Sequence, residues 1–176
     1  METSGLDRDV EEVTAAVLSA SRLLVALSAR ALADVDDTLT LPQLRTLAVL
    51  AAAGPVKLAA LAATLGVNPS TAMRMVGRLE AAGRVHRHPN PDNRREVTLT
   101  LTPAGQRLVD QVMDHRHAEI SKLVAGLPAG ERSTLVKALR AFTAAAAGPF
   151  ADSPDHPGLL LTAQRPDHPA QTRRPT

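Results

Sequence analysis

Four side chains on one short stretch carry the chemistry of this chain: Ser70, Thr71, Arg74 and Arg78. They sit on a segment that opens with Asn68-Pro69, a cap residue followed by proline at the first helical position. Asn68 can accept from backbone N–H groups that have no helical partner, and Pro69 has no such group to satisfy. The helical pattern turns Met73, Val76 and Leu79 inward at i, i+3 and i+6, which leaves the two hydroxyls and two guanidiniums for other faces. Those are groups suited to nucleic acid. Arg74, one turn in, is the candidate for reading bases, because a guanidinium pairs bidentately with guanine. Ser70 and Thr71, with Pro69 beside them at the helix start, are expected to mix phosphate and base contacts, helped by free N–H groups and the helix dipole. Lys57, Arg78 and Arg95 are expected to hold phosphates. Arg84 and Arg87 either do the same or brace the structure by pairing with Glu80 or Glu96.

The elements that must position these groups are legible on both sides. Leu58, Leu61, Ala62 and Leu65 form a preceding helix, and Gly66-Val67 supplies the turn between the two. Gly83 closes the second helix as a left-handed cap. Two alternating segments, Val85 to His88 and Glu96 to Leu101, then flank the charged tip Pro89 to Arg95 as a hairpin. This order spells a winged helix-turn-helix. Upstream, Thr40-Leu41-Pro42-Gln43 has the form of a capping box and starts a helix to about Ala53 that buries Leu44, Leu47, Ala48 and Leu50, after which Val56 forms a minimal strand. Downstream, Thr102-Pro103 repeats the cap-then-proline signature and starts a helix to about Ala125.

Outside this block lie helices of another kind. From about Leu6 to Ala33, Val10, Val13, Val17, Ala20, Leu24, Leu27 and Ala31 form a heptad seam, with Leu18, Val25 and Leu32 as a second stripe. Two stripes need two neighbours: the protein's own core and a second subunit or, in the alternative, the rest of a larger monomeric bundle. The last helix, Glu131 to Ala147, places Leu135, Leu139, Phe142 and Ala146 on one side as a further seam able to pair with the first. The helix from Pro103 has its stripe of Val109, Val112, Ile120, Leu123 and Leu127 interrupted by Asp114-His115-Arg116-His117. Either these face a ligand cavity or the helix there crosses from core to solvent, the simpler account. The expected fold is mainly α with a small β wing, a winged helix-turn-helix plus a helical dimerisation region. Its divisions are an N-terminal dimerisation helix (1–40), the DNA-binding unit (41–102), C-terminal dimerisation helices (103–147) and a disordered tail (148–176), in which Pro-Asp-His-Pro occurs twice.

Composition excludes several function classes. The 176 residues include no cysteine, which removes disulfides, thiolate zinc sites and thiol redox switches. With two Phe and no Trp or Tyr, the core must be aliphatic. Residues 1–40 are acidic, whereas 57–107 set Lys57, Arg74, Arg78, Arg84, Arg87, Arg94, Arg95 and Arg107 against Glu80, Asp92 and Glu96. A polyanion would meet the middle third. No phosphate loop, metal-spaced histidine set or convincing triad is present, so neither catalytic residues, a metal nor a cofactor is expected. No segment has the pattern of a signal peptide or membrane span, which predicts a cytoplasmic protein without membrane contact. A protein-docking winged helix is the rival reading; binding that weakens steeply with salt would argue for DNA. Met73 and Met75 fill the core or, less simply, sense oxidants.

Several motifs taken together resemble the MarR family of bacterial transcriptional regulators. They are Asn68-Pro69-Ser70-Thr71 through Gly83, the wing Asp92-Asn93-Arg94-Arg95, and Leu101-Thr102-Pro103-Ala104-Gly105. The resemblance covers about residues 6 to 147. It implies a homodimer joined by its terminal helices, binding a pseudopalindromic operator on double-stranded DNA, usually as a repressor released by a small molecule. It further implies that Arg94 enters the minor groove and that Asp92 holds it, and narrow A·T-rich grooves do concentrate the negative potential that attracts arginine. A ligand crevice between helical region and winged lobe is implied too. Arg22, Arg45, His115 and Arg116 are its candidate polar residues, for an anionic or aromatic effector.

Overall fold

The computed structural model describes residues 3–89 and 97–151, with side chains from 7 to 145 within those limits. The elements are α1 (Thr3–Val35), α2 (Leu41–Ala53), β1 (Val56–Lys57), α3 (Leu58–Leu65), α4 (Pro69–Ala81), β2 (Val85–Pro89), β3 (Val97–Leu101), α5 (Pro103–Ala125) and α6 (Ala129–Ala151). The strands form an antiparallel sheet in the order β1-β3-β2, with Val56 opposite Leu99 and Arg87 opposite Leu99 on the other side. Val56 therefore does form the minimal edge strand. The final helix continues past Ala147 to Ala151, carried by Ala144 to Ala147, residues of the highest helix propensity. Residues 152–176, with the repeated Pro-Asp-His-Pro, lie outside the described residues.

One core holds the winged lobe together. Leu47 and Leu50 of α2, Leu61 and Leu65 of α3, Val76 and Leu79 of α4, Val85 and Leu99 of the sheet, and Leu108 and Val109 of α5 pack into a single aliphatic cluster. A smaller cluster joins the end of α1 to α2 and α5 through Ala31, Leu32, Leu44 and Val112. α5 belongs to both clusters. It begins inside the winged lobe and leaves it as part of a helical stalk with α1.

The helix starts follow local chemistry. Gln43 Oε1 accepts from the Thr40 N–H (2.9 Å) and hydroxyl (2.9 Å) at the head of α2. The Thr102 hydroxyl accepts from the Gly105 N–H (2.9 Å) and donates to the Gly83 carbonyl (2.8 Å). Gly105 must be glycine for a separate reason, since a Cβ there would collide with the Arg84 carbonyl oxygen. Leu-Thr-x-x-Gly is thus a joint, pinning the corner after α4 to the first turn of α5.

The stalk differs from the lobe. Leu27, Ala31 and Leu32 of α1 are buried, but Val10, Val13, Leu18, Leu24 and Val25 are exposed. Every described side chain of α6 is exposed, Leu135, Leu139 and Phe142 among them. Within one chain most of the first predicted seam before Leu27, and the described part of the last, are bare. One sequence expectation needs amending: α1 contains a stretch long and apolar enough, by length and composition, to cross a membrane. Its alanines and leucines produce that result, while its last turns are built into the α2–α5 joint.

Candidate nucleic-acid interface

α4 is the element on which the interface is built, and its start is tightly organised. Asn68 Oδ1 accepts from the Thr71 N–H (2.8 Å) and from the Ser70 hydroxyl (2.7 Å). At about 100° per residue, Met75, Leu79, Ala72 and Val76 span an arc of about 100°. Ala72, Val76 and Leu79 are fully buried and Met75 packs against the core. Met73 lies about 60° beyond Val76 and is 37% exposed, so its predicted inward position is corrected. Ala72 takes that place. Ser70, Arg74 and Arg78 fall within about 80° of one another on the opposite side, and all three are exposed. Arg74 Nη2 rests 3.3 Å from the Thr71 hydroxyl, a weak contact that an incoming base or phosphate can replace.

This side of α4 faces open space over a shallow concavity of about 350 Å³, lined by Thr40, Pro42 and Gln43 of α2 and by Thr71, Arg74, Met75 and Arg78. Pro69 is exposed at the helix tip, and Lys57 is exposed on β1. The wing residues Asp92, Arg94 and Arg95 lie outside the described residues. Gly77, on the outward face, went unremarked in the sequence; a Cβ there would meet nothing.

The arginines left undecided by sequence are both engaged. Arg87 braces β2 against α4, with Nε 3.3 Å from Glu80 Oε2 and Nη2 donating to Met73 Sδ at 3.0 Å. Arg84 pairs with Asp36, not with Glu80; Glu96 lies outside the described residues. Its Nη2 donates to Asp36 Oδ2 at 3.1 Å. The other oxygen of Asp36 accepts from the Thr38 hydroxyl (2.6 Å) and N–H (3.1 Å). Thr38 foremost, then Arg84, holds the Asp36 carboxyl below the usual carboxylate range, against the opposing effect of burial. A partner 48 residues away leaves no local signal in the sequence.

Of the four residues proposed for a ligand crevice, one lines a cavity. His115 joins Asp34, Val35, Gln111 and Asp114 around a crevice of about 400 Å³ between α1 and α5. Arg22 is exposed on α1, while Arg45 is half-buried on α2 and Arg116 half-buried on α5, and none of the three lines it. Two carboxylates, not guanidiniums, border the opening.

Comparison with known proteins agrees with this fold. The MarR family profile matches residues 39–97, the span from the head of α2 to the start of β3. The transcriptional repressor NicR of Pseudomonas putida is 37% identical over 106 residues, which cover 60% of this chain and 66% of that protein, just under two thirds. The multiple antibiotic resistance protein MarR of Salmonella typhimurium is 31% identical over 105 residues, covering 59% of this chain and 72% of that one. Among solved structures, RV1404 from Mycobacterium tuberculosis superposes with a TM-score of 0.72 at 49% identity, over 77% of this chain and 93% of that one.

Proposed function

The chain belongs to the MarR family, and from that membership we propose that it is a sequence-specific DNA-binding repressor of transcription that acts as a homodimer on a pseudopalindromic operator. The observation that carries this reading is the outward face of α4, where Ser70, Arg74 and Arg78 stand exposed beside a capped helix start. Its named relatives are regulators of transcription, not enzymes. In this reading α4 enters the major groove. Arg74 reads a base edge, Ser70 and Thr71 contact phosphate and base near the helix start, and Lys57, Arg78 and Arg95 hold phosphates. Arg94, held by Asp92, reaches the minor groove.

The stalk supports the dimer. Val10, Val13, Leu18, Leu24 and Val25 of α1, with Leu135, Leu139 and Phe142 of α6, stand exposed, an apolar surface of the kind that marks a contact between proteins. A second copy covers it, and two lobes then meet two half-sites whose centres lie about 10 bp apart. Such a protein works in the cytoplasm, where its operator is. Release falls to a small molecule in the α1–α5 crevice; Asp34 and Asp114 there favour a cationic or neutral polar effector over the anion expected from the arginines.

Footprinting on DNA upstream of the protein's own and neighbouring genes, at two salt concentrations, tests the reading. A protected inverted repeat that fades with salt is the expected result. Protection of a single half-site would refute the dimer, and no protection at low salt would favour a docking module.

A further inference from the structure

We infer that the Arg84–Asp36 pair fixes the angle of the winged lobe on the helical stalk and so selects the spacing between operator half-sites. The inference rests on the proposed dimeric repressor. Its ground is that both partners are rigid extensions of the elements they join. The Arg84 N–H donates to the Leu79 carbonyl (2.8 Å) and the Gly83 N–H to that of Glu80 (2.9 Å), a closed helix cap that makes Arg84 continuous with α4. The Arg84 carbonyl accepts from the Thr102 N–H (3.0 Å) at the head of α5. On the other side, the Asp36 N–H donates to the Leu32 carbonyl (2.8 Å), so the carboxylate continues α1.

The pair is well made for holding an angle. Asp36 uses one oxygen for Thr38 and the other for Arg84, so neither can swing freely. The side chains are 28% and 15% exposed, which limits screening by salt. Among the described residues the other ion pairs differ: Arg30–Glu119 and Lys122–Glu119 lie within the stalk and Arg87–Glu80 within the lobe. Arg84–Asp36 connects the recognition helix to the helix whose far end carries the exposed seam. Its guanidinium, committed to a carboxylate, is a positioning group and not a phosphate contact. Because a dimer contains the pair twice, a tilt of one lobe is mirrored in the other. One base pair of extra spacing shifts a half-site by about 3.4 Å and turns it by about 35°, so lobe angle and spacing are the same variable.

The test is equilibrium binding of wild type, R84Q, D36N, the double variant and R84K to duplexes whose half-site spacing is changed one base pair at a time, alongside a duplex with one half-site. The wild type should prefer one spacing by about tenfold or more. R84Q and D36N should each compress that preference to about threefold, with single-half-site affinity and far-ultraviolet circular dichroism unchanged. The double variant should lose no more than either single one, as expected for one shared interaction, and R84K should recover part of the preference. Variants that keep the wild-type spacing profile overturn the inference. So does an equal loss of affinity at every spacing, which would make the pair a stabiliser of the lobe alone. A wild type that binds no inverted repeat removes the repressor reading together with this inference, and is seen before any variant is compared.

Discussion

The winged lobe and the stalk bury their apolar residues in opposite ways. In the lobe, Leu47, Leu61, Leu79 and Leu99 are 0% exposed within one chain. In the stalk, Val10 and Leu139 keep 64% and 54% of their surface in water. The lobe completes its core alone, whereas the stalk has the residues for a core and no second wall. Sequence periodicity reports that a helix has an apolar face; it does not report which chain covers it.

That contrast is most sharply tested by paired leucine truncations. Leu61→Ala should cost about 2–5 kcal/mol in denaturant unfolding at any protein concentration, as for a fully enclosed side chain. Leu139→Ala should cost little in a dilute monomer and should act through dimer dissociation, measured by sedimentation. Equal, concentration-independent losses would erase the distinction. Next in size, Gly105→Ala drives a methyl into the Arg84 carbonyl and should destabilise the junction by about 1–3 kcal/mol. A neutral outcome in urea melts would mean that α5 can slide at its first turn.

On the lobe's working face, Arg74→Ala should weaken operator binding by about 1–3 kcal/mol and relax preference at one base position, leaving the melting temperature in place. A uniform loss over all sequences would reassign Arg74 to phosphate. The acid response separates the joint from the rest. Asp36 is held below its ordinary value of 3.8, so its contribution to stability is fully present above that pH and fades as pH falls through the lower, folded value. Asp36→Asn should therefore lower stability at neutral pH by about 1–3 kcal/mol and flatten the acid limb of the stability–pH curve. An unchanged limb would show that the carboxylate is not held. Smallest, Gly77→Ala should raise stability by about 0.5–1 kcal/mol, because its Cβ meets open space.

What the sequence made legible is what depends on near neighbours. Asn68, Thr102, Gly66 and Gly83 were readable because caps and left-handed turns are settled within four residues, and the structure has them in those roles. Met73 was misplaced because a spacing of i, i+3, i+6 fits two adjacent arcs of a helix, and only the surrounding elements decide between them. Arg84 and Asp36 look alike to any other surface charges until the chain folds. Of the ligand candidates, His115 and Arg116 interrupt an apolar stripe of α5, and such an interruption marks an exit to solvent as readily as a cavity; His115 lines the α1–α5 crevice and Arg116 does not. Asp114 belongs to that interruption and Asp34 opens a polar break, but nothing local in the sequence brings the two acids together at His115.

Val35 lines the α1–α5 crevice and is the chain neighbour of Asp36, whose carboxylate holds the corner of the recognition helix. A molecule seated in that crevice more favourably at one lobe angle than at another is linked to the operator by a coupling free energy, and such coupling is reciprocal. Operator DNA would then alter the affinity of the crevice by the same factor by which the crevice alters the affinity for DNA. The search for an effector can accordingly be run backwards, by asking which molecules leave the protein when the operator is added.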